Sequence, residues 1–194
     1  NVGKSTFINK VIGQKIAIIS DKPQTTRNKI HGIYTQDDAQ MIFIDTPGIH
    51  KPKHRLGDHL VKIAKSTLNE VDAVLFMINA DEGYGKGDQY ILDHLPGVKS
   101  PVFLIIKKLD LVYLDSLLET IVSYNSEYDF AEIIPISALN GNNPDRLHET
   151  LMKYLLVGLN YYTVDKVTDN PVWSIIFELF CERVFKFKEE GKPY

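Results

Sequence analysis

The chain opens on six residues whose types and spacing suit phosphate binding. Asn1-Val2-Gly3-Lys4-Ser5-Thr6 matches the second half of the phosphate-loop pattern G-x-x-x-x-G-K-[ST]. In that pattern glycine lets backbone N–H groups turn toward phosphate oxygens, the lysine reaches the β/γ oxygens, and the serine hydroxyl ligates Mg²⁺ at a helix N-terminus. Half a motif is a weak signal, because a helix that starts beside a surface lysine would read the same way. The six residues predict a phosphate site that needs support from elsewhere in the chain.

A carboxylate that could share the Mg²⁺ ion follows about 40 residues later. Asp45 begins the run Asp-Thr-Pro-Gly directly after an apolar strand, so it lies at the carboxyl end of that strand, where a Walker-B carboxylate holds Mg²⁺ through water. Gly48 closes the run and can offer its N–H to a γ-phosphate. A plain turn after a strand would use the same residue types, but the order of the two motifs favours a nucleotide site.

The polar run Gln24-Thr25-Thr26-Arg27 lies between these motifs and shows neither a helical nor a strand period. A threonine hydroxyl in such a loop can complete the coordination of Mg²⁺ only while a γ-phosphate is present, which is how nucleotide-dependent loops become ordered. Thr26 is the candidate, and the adjacent Thr25 is the alternative. Taken alone, the run would indicate a solvated loop.

Two further short motifs suit the recognition of guanine. Lys107-Lys108-Leu109-Asp110 follows the apolar strand 102–106. The Asp110 carboxylate can accept from the N1–H and the exocyclic amine of guanine, which adenine does not offer, while the stem of Lys108 can pack along the base. Ser137-Ala138 follows the next strand and would direct a backbone N–H toward the guanine O6. Either motif alone is common, but the set is specific in this order and at these strand ends.

Alternating strands and helices must position these residues. Residues 30–35 and 41–44 predict a hairpin, and the apolar runs 73–78, 102–106 and 133–136 predict strands covered on both faces. Strand followed by helix, repeated, predicts an α/β fold with a mostly parallel sheet flanked by helices, whose ligands bind at the carboxyl ends of the strands. Helical periodicity is found at Ser5–Ile12, Gly57–Leu68, Gly87–His94, Leu114–Tyr124, Pro144–Leu156 and Pro171–Lys188.

The composition of the 194 residues sets outer limits. With 44% hydrophobic and 24% charged residues, the chain predicts one globular domain with a small appendage. Lys and Arg total 22 against 25 Asp and Glu, so the net charge of −3 gives no argument for a polyanionic partner. The single cysteine, Cys181, excludes an intrachain disulfide and fits a reducing cytosol. No apolar run approaches the ~20 residues needed to span a bilayer.

Four motifs together resemble the Era family of bacterial GTPases: Asn-Val-Gly-Lys-Ser-Thr, Pro-Gln-Thr-Thr-Arg, Phe-Ile-Asp-Thr-Pro-Gly-Ile-His-Lys-Pro-Lys and Pro-Ile-Ser-Ala-Leu-Asn-Gly. The resemblance covers Asn1 to about Val167. It implies a P-loop G domain that hydrolyses GTP to GDP with Mg²⁺ as a switch in small (30S) ribosomal subunit assembly. It also implies a C-terminal KH domain that binds small-subunit ribosomal RNA, in a cytoplasmic monomer with peripheral association with the inner face of the cell membrane.

The resemblance also divides the chain. Residues 1–158 are expected to form an Era-type GTP-binding domain that lacks its first strand, because that strand would precede Asn1. Residues 159–170 are polar and aperiodic and are expected to form a linker. Residues 171–194 are expected to begin an α+β KH domain with its first helix, whose apolar residues share one face. Both ends are therefore expected to be cuts in a longer polypeptide.

Residue roles are implied position by position. Lys4, Thr26 and Gly48 would act in catalysis, while Ser5, Thr26 and Asp45 would hold Mg²⁺. Ile49 stands where Ras-like enzymes place the glutamine that orients water, and its side chain cannot hydrogen-bond. Asn1 resembles the P-loop asparagine of relatives that coordinate K⁺, so activation by K⁺ is a hypothesis. The nucleotide-binding set implied by the resemblance is Asn1, Val2, Gly3, Lys4, Ser5, Thr6, Asp45, Gly48, Lys107, Lys108, Asp110, Ser137 and Ala138.

One departure from the family pattern falls in the base site. The family has Asn-Lys-x-Asp, and here Lys107 occupies the asparagine position. A lysine can donate to the O6 and N7 of guanine but cannot accept from backbone N–H groups, so we expect weaker guanine binding. Two hypotheses follow: an active Mg²⁺-dependent GTPase switch, or a ribosome-associated scaffold with weak nucleotide binding and no significant hydrolysis.

Two side features have open interpretations. The basic run His50-Lys51-Pro52-Lys53-His54-Arg55 could contact ribosomal RNA phosphates or could be a solvated loop. Tyr161-Tyr162 could stack on RNA bases or pack within the linker, and packing is favoured.

Overall fold

The computed structural model describes residues 3–17, 29–36, 39–46, 55–107, 112–136, 144–155 and 157–190. The elements group into two compact units: the four elements within residues 3–46 and 158–190 form the first unit, and the other seven form the second. In chain order they are α1 (Lys4–Ile12), β1 (Ile30–Gln36), β2 (Ala39–Asp45), α2 (Arg55–Leu68), β3 (Val74–Asn79), α3 (Lys86–Leu92), β4 (Val102–Lys107), α4 (Leu114–Glu127), β5 (Glu132–Pro135), α5 (Pro144–Met152) and α6 (Val172–Glu190).

The first unit is built on the predicted hairpin, which the structure confirms. β1 and β2 pair antiparallel in a register that runs from Ile30 opposite Asp45 to Gln36 opposite Ala39. α1 packs against both strands. The helix approaches β1 so closely at Gly32 that a Cβ atom there would lie 2.8 Å from Ile16 Cδ1 and 3.0 Å from a methyl group of Ile8. The missing side chain at Gly32 therefore lets the phosphate-loop helix lie on the hairpin.

The second unit contains three parallel strands in the order β3-β4-β5. The four residues 103–106 of the middle strand have no exposed surface (0% each), which confirms the prediction that this apolar run is covered on both faces. Aromatic packing extends the core, since the rings of Phe76 and Phe130 stack with centroids 6.2 Å apart. Tyr124 of α4 is buried in the same cluster.

The predicted helices are present, with different ends. α5 ends at Met152 and not at Leu156, because the amides of Lys153 and Tyr154 bond to carbonyls three residues earlier and tighten the last turn. α6 is 19 residues long, and much of its apolar surface lies in solvent: Trp173 is 71% exposed and Phe180 65%. Among the helices of the described ranges, none is long and apolar enough to cross a lipid bilayer.

Candidate nucleotide and magnesium site

The start of α1 suits the binding of an anion. Gly3 caps the helix with φ 71° and ψ 42°, a left-handed conformation that residues with a Cβ rarely adopt. Its carbonyl accepts the first helical bond, from the amide of Phe7 at 3.0 Å. The first turn of α1, all of it described, contains no acidic side chain. The positive end of the helix dipole is therefore not neutralised by a side chain of its own first turn, and it favours an anion.

Ser5 and Asp45 meet beside this helix start. The Ser5 hydroxyl donates a 2.5 Å hydrogen bond to Asp45 Oδ2, which is a short, charge-assisted bond. Asp45 is the last residue of β2 and is only 1% exposed. A serine hydroxyl that donates a hydrogen bond to a carboxylate directs its lone pairs elsewhere, which is the arrangement that a hydroxyl ligand of Mg²⁺ requires. A hydroxyl and a buried carboxylate are also the hard oxygen donors that Mg²⁺ prefers, so the residues present fit this ion.

Lys4 lies in the electrostatic field of the same carboxylate. Burial lowers the pKa of the Lys4 ammonium below its ordinary value of 10.5, and the negative charge of Asp45 opposes that shift only in part. A cation that is partly removed from water and incompletely compensated by a nearby charge has more to gain from an anionic ligand than a fully solvated cation. The lysine is therefore suited to receive phosphate oxygens.

Asn9 holds the chain that follows α1, a role that the sequence analysis missed. Its Oδ1 accepts from the amides of Ile16 and Ala17, both at 2.9 Å, and its Nδ2 donates to the carbonyl of Ala17 at 2.8 Å. These three bonds fix the backbone just before position 18, after the left-handed Gly13 (φ 76°) ends the helix. The signal in the sequence was an asparagine, a poor helix former, in the middle of the predicted helix.

Lys107, which occupies the asparagine position of the Asn-Lys-x-Asp pattern, is the last residue of β4 in the second unit. Its register partner on β3 is Asn79, which is 2% exposed and donates from Nδ2 to Glu82 Oε1 at 2.7 Å. The Lys107 carbonyl accepts from the amide of Ala80 at 2.8 Å. The strand end that leads into the base motif is thus anchored by backbone pairing on its β3 side.

The structure describes six of the predicted site residues. It brings Gly3, Lys4, Ser5 and Asp45 together in the first unit and leaves Thr6 exposed on the surface of α1. Lys107 lies in the second unit. The other predicted positions lie outside the described residues: Asn1, Val2, Thr26 with its alternative Thr25, Gly48, Lys108, Asp110, Ser137 and Ala138.

The chain is similar to a GTPase family and to solved structures of Era. The model of a protein family described as "50S ribosome-binding GTPase" matches residues 1–108. A crystal structure of Era in complex with MgGDPNP and nucleotides of 16S ribosomal RNA is 40% identical, with a TM-score of 0.88. A point variant of Aquifex aeolicus Era bound to GDP·AlF4⁻ is 39% identical, with a TM-score of 0.86. Each match covers 94% of this chain and 63% of the Era chain, so the present sequence spans less than two thirds of those relatives.

A more distant neighbour shares the fold alone. The elongation factor SelB from Methanococcus maripaludis, in complex with a GTP analogue, is 18% identical, covers 84% of this chain and 34% of its own, and has a TM-score of 0.58. The family match covers more than half of the chain, the Era likeness extends over nearly all of it, and both agree with the resemblance of the four motifs. The chain belongs to the family of 50S ribosome-binding GTPases, with a P-loop G-domain fold, and within that family it is Era-like.

Proposed function

We propose that this protein binds GTP with Mg²⁺ and hydrolyses it to GDP. The observation that carries the proposal is the Ser5–Asp45 hydrogen bond beside the left-handed Gly3 and the half-buried Lys4. In the proposed site Ser5 ligates Mg²⁺ directly and Asp45 holds it through water, while Lys4 contacts the β- and γ-phosphates. The bound ion would supply charge neutralisation of the phosphate oxygens.

Three further roles in hydrolysis are proposed from the motif resemblance. Thr26 would join the metal site only when a γ-phosphate is present, and Gly48 would donate its N–H to that phosphate. With Ile49 unable to orient water, K⁺ held by Asn1 would supply the charge that an arginine finger supplies elsewhere. Comparing GTP turnover in potassium and sodium buffers of equal ionic strength tests this role, and equal rates would refute it.

The biological partner proposed is the small ribosomal subunit with its ribosomal RNA. The support is the Era relative crystallised with nucleotides of 16S ribosomal RNA, together with the exposed apolar side chains of α6. A helix that leaves Trp173, Phe177 and Phe180 in solvent suits the first element of a further packed domain, as expected for the KH domain. The protein would act as a monomeric switch in 30S assembly, in the cytoplasm and partly at the inner face of the membrane.

Nucleotide titration of the full-length protein is the decisive experiment. Affinities for GTP, ATP and XTP should show micromolar, Mg²⁺-dependent selectivity for GTP. The change Asp110→Asn should shift the preference toward XTP, because an amide can donate to the extra carbonyl of xanthine. Retained GTP preference in that variant would remove Asp110 as the guanine selector. GTP turnover by the wild-type protein in the presence of Mg²⁺ measures the hydrolysis itself.

The second candidate is a ribosome-associated scaffold with weak nucleotide binding and no significant hydrolysis. Lys107 in the asparagine position and the apolar Ile49 favour it. The intact Ser5–Asp45 pair weighs against it, since the hydroxyl and the carboxylate have kept their hydrogen-bonded geometry. Absence of GTP binding by the full-length protein would support the scaffold and reject the switch.

A further inference from the structure

Residues 162–170, here called the strap, are hydrogen-bonded to the hairpin of the first unit. The amide of Ile33 on β1 donates to the carbonyl of Val167 at 2.8 Å, and the amide of His31 donates to Asn170 Oδ1 at 3.1 Å. The last strap residues, 167–170, therefore run antiparallel to β1. These bonds satisfy edge amides that would otherwise face solvent.

The strap is also attached at its beginning. The side-chain amide of Gln40 on β2 bonds to the backbone of Tyr162 in both directions, with its Oε1 accepting at 2.9 Å and its Nε2 donating at 3.0 Å. The hydroxyl of Tyr162 donates to Asp169 Oδ2 at 2.9 Å, which ties the two ends of the strap together. Tyr162 thus packs as the sequence analysis favoured, whereas the neighbouring Tyr161 is 86% exposed.

The last strap residues lie next to the magnesium carboxylate in the sheet register. His31, which bonds to Asn170 and lies 2.8 Å from Asp169 Oδ2, is opposite Ile44. The next pair of the ladder is Ile30 opposite Asp45. The strap contact and the carboxylate that accepts the Ser5 hydrogen bond therefore lie at adjacent pairs of the ladder.

A second tie leads from the strap back to the phosphate-loop helix. The strap continues through Pro171 into α6, where Glu182 is only 4% exposed. Its Oε1 lies 2.7 Å from the ammonium of Lys15, which follows the C-terminal end of α1. The strap and α6 thus hold the strand that pairs with Asp45 and the end of the helix that carries Ser5.

We propose that Asn170 of the strap and Glu182 of α6 are positioning residues for the magnesium site, which hold Asp45 and Ser5 at hydrogen-bonding distance. The inference rests on the proposed Mg²⁺-dependent binding of GTP. Asn170 acts through β1 and its ladder partner Asp45, and Glu182 acts through Lys15 and α1. The segment expected to be a linker would then be part of the working nucleotide site.

The test separates metal binding from nucleotide binding in the full-length protein. Asn170→Ala and Glu182→Gln are compared with wild type and with Val164→Ala, a strap position whose side chain is 75% exposed. The Mg²⁺ concentration for half-maximal GTP hydrolysis should rise about three- to tenfold in the two variants, as expected for the loss of one hydrogen bond. Affinity for GDP measured in EDTA should stay within about twofold, and Val164→Ala should match wild type.

Rescue distinguishes positioning from general damage. Asn170→Asp keeps an acceptor oxygen for the His31 amide and should restore the Mg²⁺ dependence of wild type. An unchanged Mg²⁺ requirement in Asn170→Ala and Glu182→Gln would overturn the inference, as would equal losses of GDP affinity in EDTA and of Mg²⁺ affinity. Failure of the wild-type protein to bind GTP with Mg²⁺ would instead reject the proposed function on which the inference rests.

Discussion

The Ser5 hydroxyl and the Asp45 carboxylate lie 2.5 Å apart although 40 positions separate them in the chain. Ser5 lies in the first turn of a helix that follows a left-handed glycine, and Asp45 ends a strand against which that helix packs. The start of the helix and the end of the strand therefore have to be placed side by side before the pair can form. Their contact brings two common sequence motifs together in the proposed magnesium site, and it makes the pair the first place to perturb.

Replacing Asp45 by asparagine should separate metal binding from nucleotide binding. The amide keeps the size of the side chain but removes the charge that would attract Mg²⁺, so the affinity for Mg²⁺ with bound GTP should fall about 10- to 100-fold. Affinity for GDP in EDTA should change far less. Mg²⁺ titrations monitored by GTP hydrolysis measure the effect, with Asp72→Asn at an exposed aspartate as the control. Equal Mg²⁺ dependence in the wild type and Asp45→Asn would refute the role given to this carboxylate.

The parts of this structure that were predictable have strong local signals. The apolar run of β4 is fully buried as predicted, and the order of the phosphate loop and Asp45 implied a pair that the structure contains. The strap was not predictable, because its residues are polar and aperiodic and its bonds reach partners 122 and 139 positions away. No periodicity encodes such contacts, since each depends on where the hairpin has already been placed.

The three hydrogen bonds of Asn9 were not predicted from the sequence for a different reason. All three of its bonds are local, within eight positions, but a helical pattern reports only which face is apolar. What a polar residue bonds to after the helix has ended depends on the turn at Gly13, which periodicity does not describe.

Lys4 should give the nucleotide-free protein a characteristic pH dependence. Burial lowers the pKa of Lys4 in the folded state, so between that value and 10.5 the unfolded chain binds more protons. Stability therefore rises with pH through this window. The free energy of unfolding of the wild type minus that of Lys4→Met should therefore become more positive as the pH rises. Urea denaturation at several alkaline pH values measures this difference. Lys62→Met on α2 is the matched change at an exposed lysine. A difference that stays constant across the window would contradict the prediction.

The same shift predicts proton uptake on nucleotide binding. Phosphate oxygens favour the charged form of the lysine and so raise its pKa again. Calorimetric titrations of GTP in alkaline buffers of different ionisation enthalpy should show net proton uptake by wild type. The uptake should be lost in any Lys4→Met protein that still binds the nucleotide, and its persistence there would assign the proton to another group.

Gly32 should tolerate no side chain without loss of stability. Gly32→Ala places a Cβ 2.8 Å from Ile16 Cδ1, and Ile8, at 3.0 Å, presents a branched methyl group that has little freedom to move. The expected cost is about 1–3 kcal/mol in the free energy of unfolding. Gly87→Ala in α3 is the control, because its Cβ meets nothing within 4 Å and alanine favours the helix by up to about 1 kcal/mol. Chemical denaturation of both variants decides, and equal stability of the two would mean that α1 does not depend on the close approach.

The strap should weaken in acid through Asp169. Burial alone would raise the pKa of this carboxyl, but hydrogen bonds from His31 and Tyr162 outweigh it and hold the pKa below its ordinary value of 3.8. A depressed acidic pKa contributes stability that is fully present above 3.8 and is lost as the pH falls through the lower folded-state value. The Asp169 side chain is 28% exposed, so water partly screens its interactions. The contribution to stability should therefore be small, about 0.2–1 kcal/mol. Asp169→Asn should therefore be less stable than wild type near neutral pH and equally stable in strong acid, as measured by urea denaturation. A deficit that persists below the folded-state pKa would mean that the carboxylate charge is not what holds the strap at His31.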